Sequence, residues 1–540
     1  MIVLCILKSP IKERSMFKKT EVPQYNLFSF SSVLFSGNSL KMYDDKNAWH
    51  NRFYQEVTSR IDESVFKPLY CGNNGTPNTP VRVLNSMMIF KEAEGLSDQK
   101  LWENCRFNML TRSAIGLPNA DGLVPAGSTY YLFRKRMMDY PSAGNENLLD
   151  VAFWQVTKNQ CIDFEVSGKR IRMDRKLLGS KIASLSRYEL IYQTFRLLYG
   201  QVKQDGIINP AITEILNPLL ELEGNKVVYT CSSDEVKTRL QKLGELIYSI
   251  LPLLSGHKRP SFQTLKRVFN EQFKVDLDKI VVPSNKDEIT TGSVQSPHDT
   301  DCTYRKKEDN KVKGYSINIT ESCDDGEVFT CKTEAAHADG AYHCPTNQEF
   351  CKDENIELYL HAIQGVKGRY QMNVLNDGTL SVLDTSANDL IDIKKVTTKQ
   401  GVVKWWVKVE NGYRYFTQEN IDTYQVRKKT TETPIKIVQK RNNVEAIVFQ
   451  LAYQYPNAKS RYRGLIKHQM WADTRCFLVN YVRIMNFNAK EGLKTSFSTI
   501  NLFVSNFIEC LYLFRLLMGS LICKNFLKLR NMRFSGILEN

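Results

Sequence analysis

Three acids lie far apart in the sequence, in segments whose patterns predict three different elements. They are Asp174 in GKRIRMDRKLLGS, Asp339 in EAAHADGAYHCP and Glu445 in QKRNNVEAIVFQLAYQYP. Carboxylates that converge from separate elements bind hard divalent cations, which prefer oxygen ligands and keep positions open for water and phosphate. Two such ions can activate an attacking hydroxyl and stabilise a leaving oxygen in phosphodiester chemistry. Because the chain has 58 Asp and Glu residues, most of them expected on the surface, the three acids are significant only through their surroundings.

The first two acids are predicted at the ends of strands. The alternation in FEVSGKRIRMD predicts a strand that ends at Asp174, and VFTCKTEAAHAD predicts another that ends at Asp339, with Gly340 allowing a tight turn. DCTYRKK and KGYSINIT predict two strands before the second acid. After it, residues 345–354 predict a short helix and IELYLHAI a further strand. Side chains at strand ends lie at the rim of an open α/β sheet, where ligands bind.

The third acid is predicted on a helix, RNNVEAIVFQLAYQY. Apolar residues recur there at helical spacing: Val444, Val448, Leu451 and Tyr455. A helix with one buried face can hold Glu445 rigidly against a sheet, whereas Glu432 in TTETPIK is predicted in a connecting segment flanked by proline. Arg441 shares a helix face with Glu445, and the simplest interpretation of that pair is a surface ion pair.

Together with VQSPHDTDCTYRKK and RYRGLIKHQMWADTRCFLVNYVRIMN, these segments resemble bacterial insertion-sequence transposases of the DDE type. The resemblance extends from about Met16 to about Asn486, and its five motifs occur in the order of the family. It implies an α/β fold: a ribonuclease-H-like mixed sheet with helices, interrupted by a helical and a β-rich insertion. An all-helical, InsH-type domain that binds DNA would precede this catalytic domain.

The resemblance also implies the chemistry and the partners. Asp174, Asp339 and Glu445 would be both the catalytic residues and the ligands of Mg²⁺ or Mn²⁺. The partners would be the terminal inverted repeats of the element and the target DNA, bound by a homodimer. The implied location is the bacterial cytoplasm, in association with the nucleoid and without a membrane.

Basic residues near these motifs are candidates for contact with DNA phosphates. The candidates are Arg441, Lys459, Arg461, Arg463, Arg134 and Arg136. The alternative for each is a solvated position on a helix face. The resemblance implies that Arg441 and Glu445 belong to a longer signature with a Tyr before the Arg and a Lys after the Glu. The chain departs from it, since Val438 stands where the Tyr is expected and Ala452 where the Lys is expected. Two other functions therefore stay open: an inactive or domesticated copy that only binds DNA, and a metal-dependent nuclease without strand transfer.

The pattern along the chain predicts four regions. Residues 1–40 are a disordered extension, residues 41–150 a helical domain, residues 151–486 the catalytic domain and residues 487–540 a basic, apolar helical tail. The catalytic domain contains a helical insertion at 186–280 and an antiparallel β-rich insertion at 364–440. In the helical domain, Ser97 and Ser128 are predicted to cap helices that begin SDQKLW and STYYLF.

Charge and cysteine content are compatible with an intracellular protein that binds a polyanion, and equally with a soluble basic enzyme that has no nucleic-acid role. The net charge is +15, and residues 440–540 hold 15 Lys and Arg against 5 Asp and Glu. Thirteen cysteines without a CxxC pair favour a reducing compartment over a disulfide framework. Polar residues interrupt the apolar stretch 501–523, which therefore predicts a buried amphipathic helix rather than a membrane span.

Overall fold

The computed structural model describes most of the chain. The described residues are 17–20, 34–71, 77–117, 123–206, 224–254, 258–307, 310–323, 333–361, 369–375, 379–398, 401–409, 412–434, 437, 444–455 and 458–493. Arg441, Val438 and the apolar stretch 501–523 lie outside them.

The N-terminal part is helical, as the sequence predicts. Its helices are α1 (Gly37–Asp44), α2 (Trp49–Glu56), α3 (Val81–Ala93), α4 (Asp98–Phe107), α5 (Met109–Ala114), α6 (Gly127–Ser142) and α7 (Leu148–Asp163). Ser97 caps α4 by accepting a hydrogen bond from the Lys100 amide at 3.2 Å. The predicted cap at Ser128 is wrong, because the Ala126 carbonyl already accepts from the Tyr130 amide and Ser128 lies inside the first turn.

Part of the predicted extension packs on this helical region. The ring of Phe17 lies 5.5 Å from that of Tyr70, and the Thr20 hydroxyl donates to Glu63 at 2.7 Å. Helix α1 begins at Gly37, so the helical region starts a few residues before the predicted boundary. These contacts connect two described residues of the predicted extension with the helical region.

Strand β1 (Arg170–Gly179) is followed by the predicted helical insertion. Its described elements are α8 (Arg187–Gln204), α9 (Gly224–Thr230), α10 (Ser233–Ile250) and α11 (Pro260–Gln272), with a short hairpin of β2 (Phe273–Val275) and β3 (Val281–Pro283) at its end. Ser186 and Glu189 form a capping box that begins α8. The insertion has its own apolar core, which includes Phe195, Leu243 and Phe269.

Strand β1 and four strands that follow the helical insertion form a five-stranded mixed sheet. Its other strands are β4 (Thr303–Lys307), β5 (Asn310–Ser322), β6 (Ala335–Asp339) and β7 (Glu357–His361), with α12 (Pro345–Asp353) between the last two. The strand order is β4-β5-β1-β6-β7. The β4–β5 and β5–β1 pairs are antiparallel, whereas β1–β6 and β6–β7 are parallel.

One predicted boundary in this sheet is wrong. Strand β1 does not end at Asp174 but continues to Gly179. The reason is the length of β5, which pairs with β1 along the whole segment and keeps RKLLG extended up to the pair Gly179↔Gly314.

The β-rich insertion contains two three-stranded antiparallel sheets. One is formed by β8 (Tyr370–Val374), β9 (Leu380–Asp384) and β10 (Asp389–Ile391), the other by β11 (Ile393–Thr397), β12 (Val403–Val409) and β13 (Gly412–Thr417). Helix α13 (Gln418–Glu432) follows β13 and includes the first three residues of TTETPIK, so Glu432, predicted in a connecting segment, is instead the last residue of a helix. Thr417 and Asn420 cap α13, and Ile421 packs against Tyr370 of the first sheet.

Helices α14 (Val444–Ala452) and α15 (Leu465–Leu493) complete the described part. Helix α15 joins the two halves of the protein, because Phe477 and Tyr481 are buried in the N-terminal core while Trp471 and Val479 pack on the side of the sheet. It also runs beyond the predicted boundary at 486. Within the described ranges, none of the helices has the length and apolar character needed to cross a membrane.

Candidate functional site

Asp174 and Asp339 occupy equivalent positions on neighbouring parallel strands. The last residue pair between β1 and β6 is Arg172↔His337. Asp174 lies two residues after Arg172 on β1, and Asp339 lies two residues after His337 on β6. Neighbouring strands are about 4.8 Å apart, and side chains in register point to the same face. Both acids are partly exposed, whereas His337 is fully buried. Asp339 is the last residue of β6, so the two acids lie where the parallel pairing ends.

Helix α14 lies on this same face of the sheet. Ile319 of β5 pairs directly with Asp174, and its side chain packs against Ile447 and Leu451 of α14. Tyr455, which follows the helix, packs against Leu178 near the far end of β1. The helix therefore runs in the same direction as β1, with its N-terminal end towards Asp174.

Glu445 is the second residue of α14, at that N-terminal end. Its backbone is described, whereas its side chain is outside the described part. Arg441, its predicted partner, is outside it as well.

A buried arginine of α15 fixes the other end of α14. Arg475 has no exposed surface and donates to the carbonyls of Leu451 at 2.9 Å and Gln450 at 2.7 Å. It also donates to the carbonyls of Glu92 at 2.7 Å and Ala93 at 3.2 Å, at the end of α3. Burial lowers the pKa of the Arg475 guanidinium. This single side chain connects the N-terminal helices with the helix that carries Glu445.

A charged cluster lies beside the two aspartates. Arg172, two residues before Asp174 on the same face of β1, donates from Nε to Glu321 Oε2 at 2.6 Å, and Arg483 of α15 pairs with the other oxygen of Glu321. Burial and the charge of Arg172 lower the pKa of Arg483 to about 10. Sequence reasoning missed this cluster, although the alternation of KRIRMD already put Arg172 on the face of Asp174.

The donor set at this position is compatible with a hard divalent cation. Two carboxylates from adjacent strands share one partly exposed face, and oxygen ligands are those that Mg²⁺ prefers. The described side chains contain no cluster of three or more His, Cys, Asp or Glu arranged to hold a metal. Glu445 could not count toward such a cluster, since its side chain is not described.

Comparison with protein families assigns the helical region. Residues 41–136 match the family model described as a transposase domain (DUF772). The chain carries a transposase domain. Comparisons with curated proteins and with solved structures found no match.

Two arginines of the transposase domain are predicted to contact DNA, and both lie against aromatic rings. Arg134 is half-buried, with its guanidinium carbon 5.5 Å from the ring centre of Tyr130 and 5.9 Å from that of Tyr462. Arg136 lies 5.4 Å from the ring centre of Tyr70. Arg134 thus connects the transposase domain to the segment before α15. A role in DNA contact remains a prediction for both arginines.

The predicted basic residues after α14 are exposed and close to the C-terminal end of β1. Lys459 pairs with Gly179 through an isolated β-bridge and donates to the Ile182 carbonyl at 3.3 Å. Arg463 donates to the Lys181 carbonyl at 2.6 Å, and Arg461 donates to the Leu96 carbonyl at 2.7 Å. These hydrogen bonds position all three side chains while leaving them in contact with solvent.

Proposed function

We propose that this protein is a DDE-type transposase that binds the terminal inverted repeats of an insertion sequence, cleaves the DNA and joins it to a target. The observation that supports this most is the equivalent position of Asp174 and Asp339 on adjacent parallel strands, with the N-terminal end of α14 on the same face. The transposase domain at residues 41–136 provides independent support.

The topology of the central sheet supports a ribonuclease-H-like fold for the catalytic domain. In the order β4-β5-β1-β6-β7, a long antiparallel hairpin lies on one side of β1 and two parallel strands lie on the other. The resemblance implies a mixed sheet of this kind, and the strand order therefore supports the proposal. Asp174 on β1, Asp339 at the end of β6 and Glu445 on the following α14 occupy its elements in the expected order.

In this proposal Asp174, Asp339 and Glu445 hold Mg²⁺ or Mn²⁺ through carboxylate oxygens. The bound ions supply activation of the attacking water or 3′-hydroxyl and stabilisation of the leaving oxygen. The pairing of Glu321 with Arg172 and Arg483 holds two positive charges against one negative charge beside the acids. Arg441, Lys459, Arg461 and Arg463 contact the DNA backbone, and a homodimer brings two ends of the element together.

The proposal is tested with purified protein and a supercoiled plasmid that carries the DNA flanking the gene. In Mg²⁺ we expect cleavage at the ends of the inverted repeats and a joined product in a target plasmid, and we expect neither in EDTA. Cleavage without joining would identify a nuclease. Binding without cleavage would identify a copy that only binds DNA.

The third acid is tested by a pair of matched substitutions. Glu445→Gln is expected to slow cleavage by about 10²-fold, because the amide keeps one oxygen ligand and loses the negative charge. Glu432→Gln is expected to remain within about twofold of the wild type, since Glu432 is exposed and only 4.0 Å from Lys428 across one helical turn. Both variants are assayed on the same plasmid. Wild-type cleavage by Glu445→Gln would remove this residue from the site.

The contact with DNA phosphates predicts a steep dependence on salt. Affinity for non-specific duplex should fall with a log–log slope of about one unit for each phosphate neutralised. Lys459→Ala should reduce that slope by about one unit, because one phosphate contact is lost. Lys237→Ala serves as the control, since Lys237 lies in the helical insertion, is exposed and is already paired with Asp234. A flat response of the wild type between low and physiological salt would contradict DNA binding.

A further inference from the structure

The sheet formed by β11, β12 and β13 has two chemically different faces. Its cross-strand pairs include Lys394↔Trp406 and Trp406↔Tyr415, so these three side chains share one face. Alternation along the strands adds Lys404, Lys408 and Tyr413 to it. We call these six residues the aromatic–lysine face.

The opposite face provides the packing that the sheet needs in order to fold. Trp405 and Phe416 pack with Tyr370, Met372 and Ile421, which are buried between this sheet, the neighbouring sheet and α13. Among the residues that the structure describes, the aromatic–lysine face makes no comparable contribution to a core. Tyr413 is 66% exposed, Tyr415 is 52% exposed and Trp406 is 36% exposed. Clustered aromatic rings on a surface indicate a binding site more often than a structural role.

The three rings are neighbours. The centre of the Trp406 ring is 5.9 Å from that of Tyr415 and 6.2 Å from that of Tyr413, and Lys404 Nζ lies 4.4 Å from the centre of the Tyr415 ring. The rings thus form a continuous aromatic surface across two strands. Flat ligands that stack on a ring can use more than one of these positions at once.

The charge of the sheet selects an anionic ligand. Its described strands contain four lysines, one arginine and no acid: Lys394, Lys395, Lys404, Lys408 and Arg414 are the charged residues. Three of the lysines belong to the aromatic–lysine face. A ligand that matches this face must offer flat apolar groups and regularly spaced negative charges, which unpaired nucleotides do.

We propose that the aromatic–lysine face binds single-stranded DNA, with unpaired bases stacked on Trp406, Tyr413 and Tyr415 and phosphates paired with the lysines. Duplex DNA fits less well, because its bases are stacked on one another and their faces are hidden from the rings. The inference goes beyond the proposed cleavage, since it does not involve the three acids. Only the choice of DNA over RNA rests on the proposed function.

The test measures binding of the full chain to a labelled oligothymidylate, an oligouridylate and a duplex of equal length, by fluorescence anisotropy in EDTA. The double variant Trp406→Ala/Tyr415→Ala is expected to bind the oligothymidylate at least about tenfold more weakly and the duplex unchanged. Trp406→Phe, which keeps an aromatic ring, should retain most of the affinity. Circular dichroism establishes that each variant is folded.

Two controls match the substitutions in chemistry but not in position. Trp154→Ala removes a tryptophan that is 63% exposed on α7, and Lys395→Ala removes an exposed lysine from the other face of the same sheet. Both are expected to bind as the wild type does. Should the double variant not fold, Tyr413→Ser decides the question with a single exposed side chain.

Three results would overturn the inference. The first is a folded double variant, or a Tyr413→Ser protein, with wild-type affinity for the oligothymidylate. The second is an equal loss of affinity for single strand and duplex, which would indicate that the rings do not select unpaired bases. The third is preferential binding of the oligouridylate, which would exclude DNA as the ligand. Asp174→Ala should still bind the oligothymidylate, so failure of the cleavage proposal is distinguishable from failure of this one.

Discussion

Asp174→Ala and Asp339→Ala are each expected to reduce DNA cleavage by roughly 10³-fold or more while leaving DNA binding intact. Each substitution removes oxygen ligands from the proposed cation site but leaves the transposase domain at 41–136 unchanged. Because the two acids are equivalent in register on β1 and β6, the losses should be similar in size. The rate of cleavage is measured on the plasmid that carries the flanking DNA, and the affinity for DNA is measured by electrophoretic mobility shift.

The control for this pair is an exposed acid elsewhere in the chain. Asp389→Ala, on the exposed strand β10, should cleave at the wild-type rate. The double variant Asp174→Ala/Asp339→Ala should be no slower than either single variant, since residues that serve one metal site act as a unit. Near wild-type cleavage by either single variant in Mg²⁺ would show that the residue is not a metal ligand.

Local patterns were sufficient for most elements around these acids. Alternation predicted strands at Asp174 and Asp339, the Pro345 segment predicted a short helix, and apolar spacing predicted the helix of Glu445. They did not predict where β1 ends. That boundary depends on β5, which lies more than a hundred residues further along the chain and pairs with β1 through to Gly179.

The errors in the β-rich insertion have a similar origin. The segment that forms α13 is polar, and its apolar spacing is too weak to predict a helix. The helix forms there because Thr417 and Asn420 cap it and because the two sheets provide apolar partners for Ile421. The aromatic–lysine face was equally hard to infer, because the adjacent residues Trp405 and Trp406 point to opposite faces. Only the cross-strand register shows which ring is exposed.

Arg475 illustrates a contact that no local pattern reveals. Its guanidinium meets the C-terminal ends of α3 and α14, where helix dipoles place roughly half a negative charge each. The two ends therefore offset about one positive charge, which explains how an arginine without exposed surface stays charged in the interior. Its donors also satisfy carbonyls that the ends of the helices leave without a partner in the helix.

Arg475→Met is accordingly expected to lower the free energy of unfolding by on the order of 3–5 kcal/mol. Methionine fills much of the volume but donates no hydrogen bond, so the carbonyls of Glu92, Leu451 and Gln450 lose their donor in a buried place. Arg475→Lys should recover only part of the lost stability. Lysine keeps a positive charge and hydrogen-bond donors, but one ammonium cannot reach both helix ends as a planar guanidinium does.

Urea denaturation followed by circular dichroism measures the effect, with Arg463→Met as the matched control. Arg463 is exposed and donates to the Lys181 carbonyl, so its substitution should cost less than about 1 kcal/mol. At temperatures where Arg475→Met is still folded, its cleavage should fall more than its DNA binding. Helix α14 would then be held less firmly against the sheet, and Glu445 would be placed less precisely beside Asp174. Equal stability of Arg475→Met and the wild type would mean that α3 and α14 do not depend on this side chain.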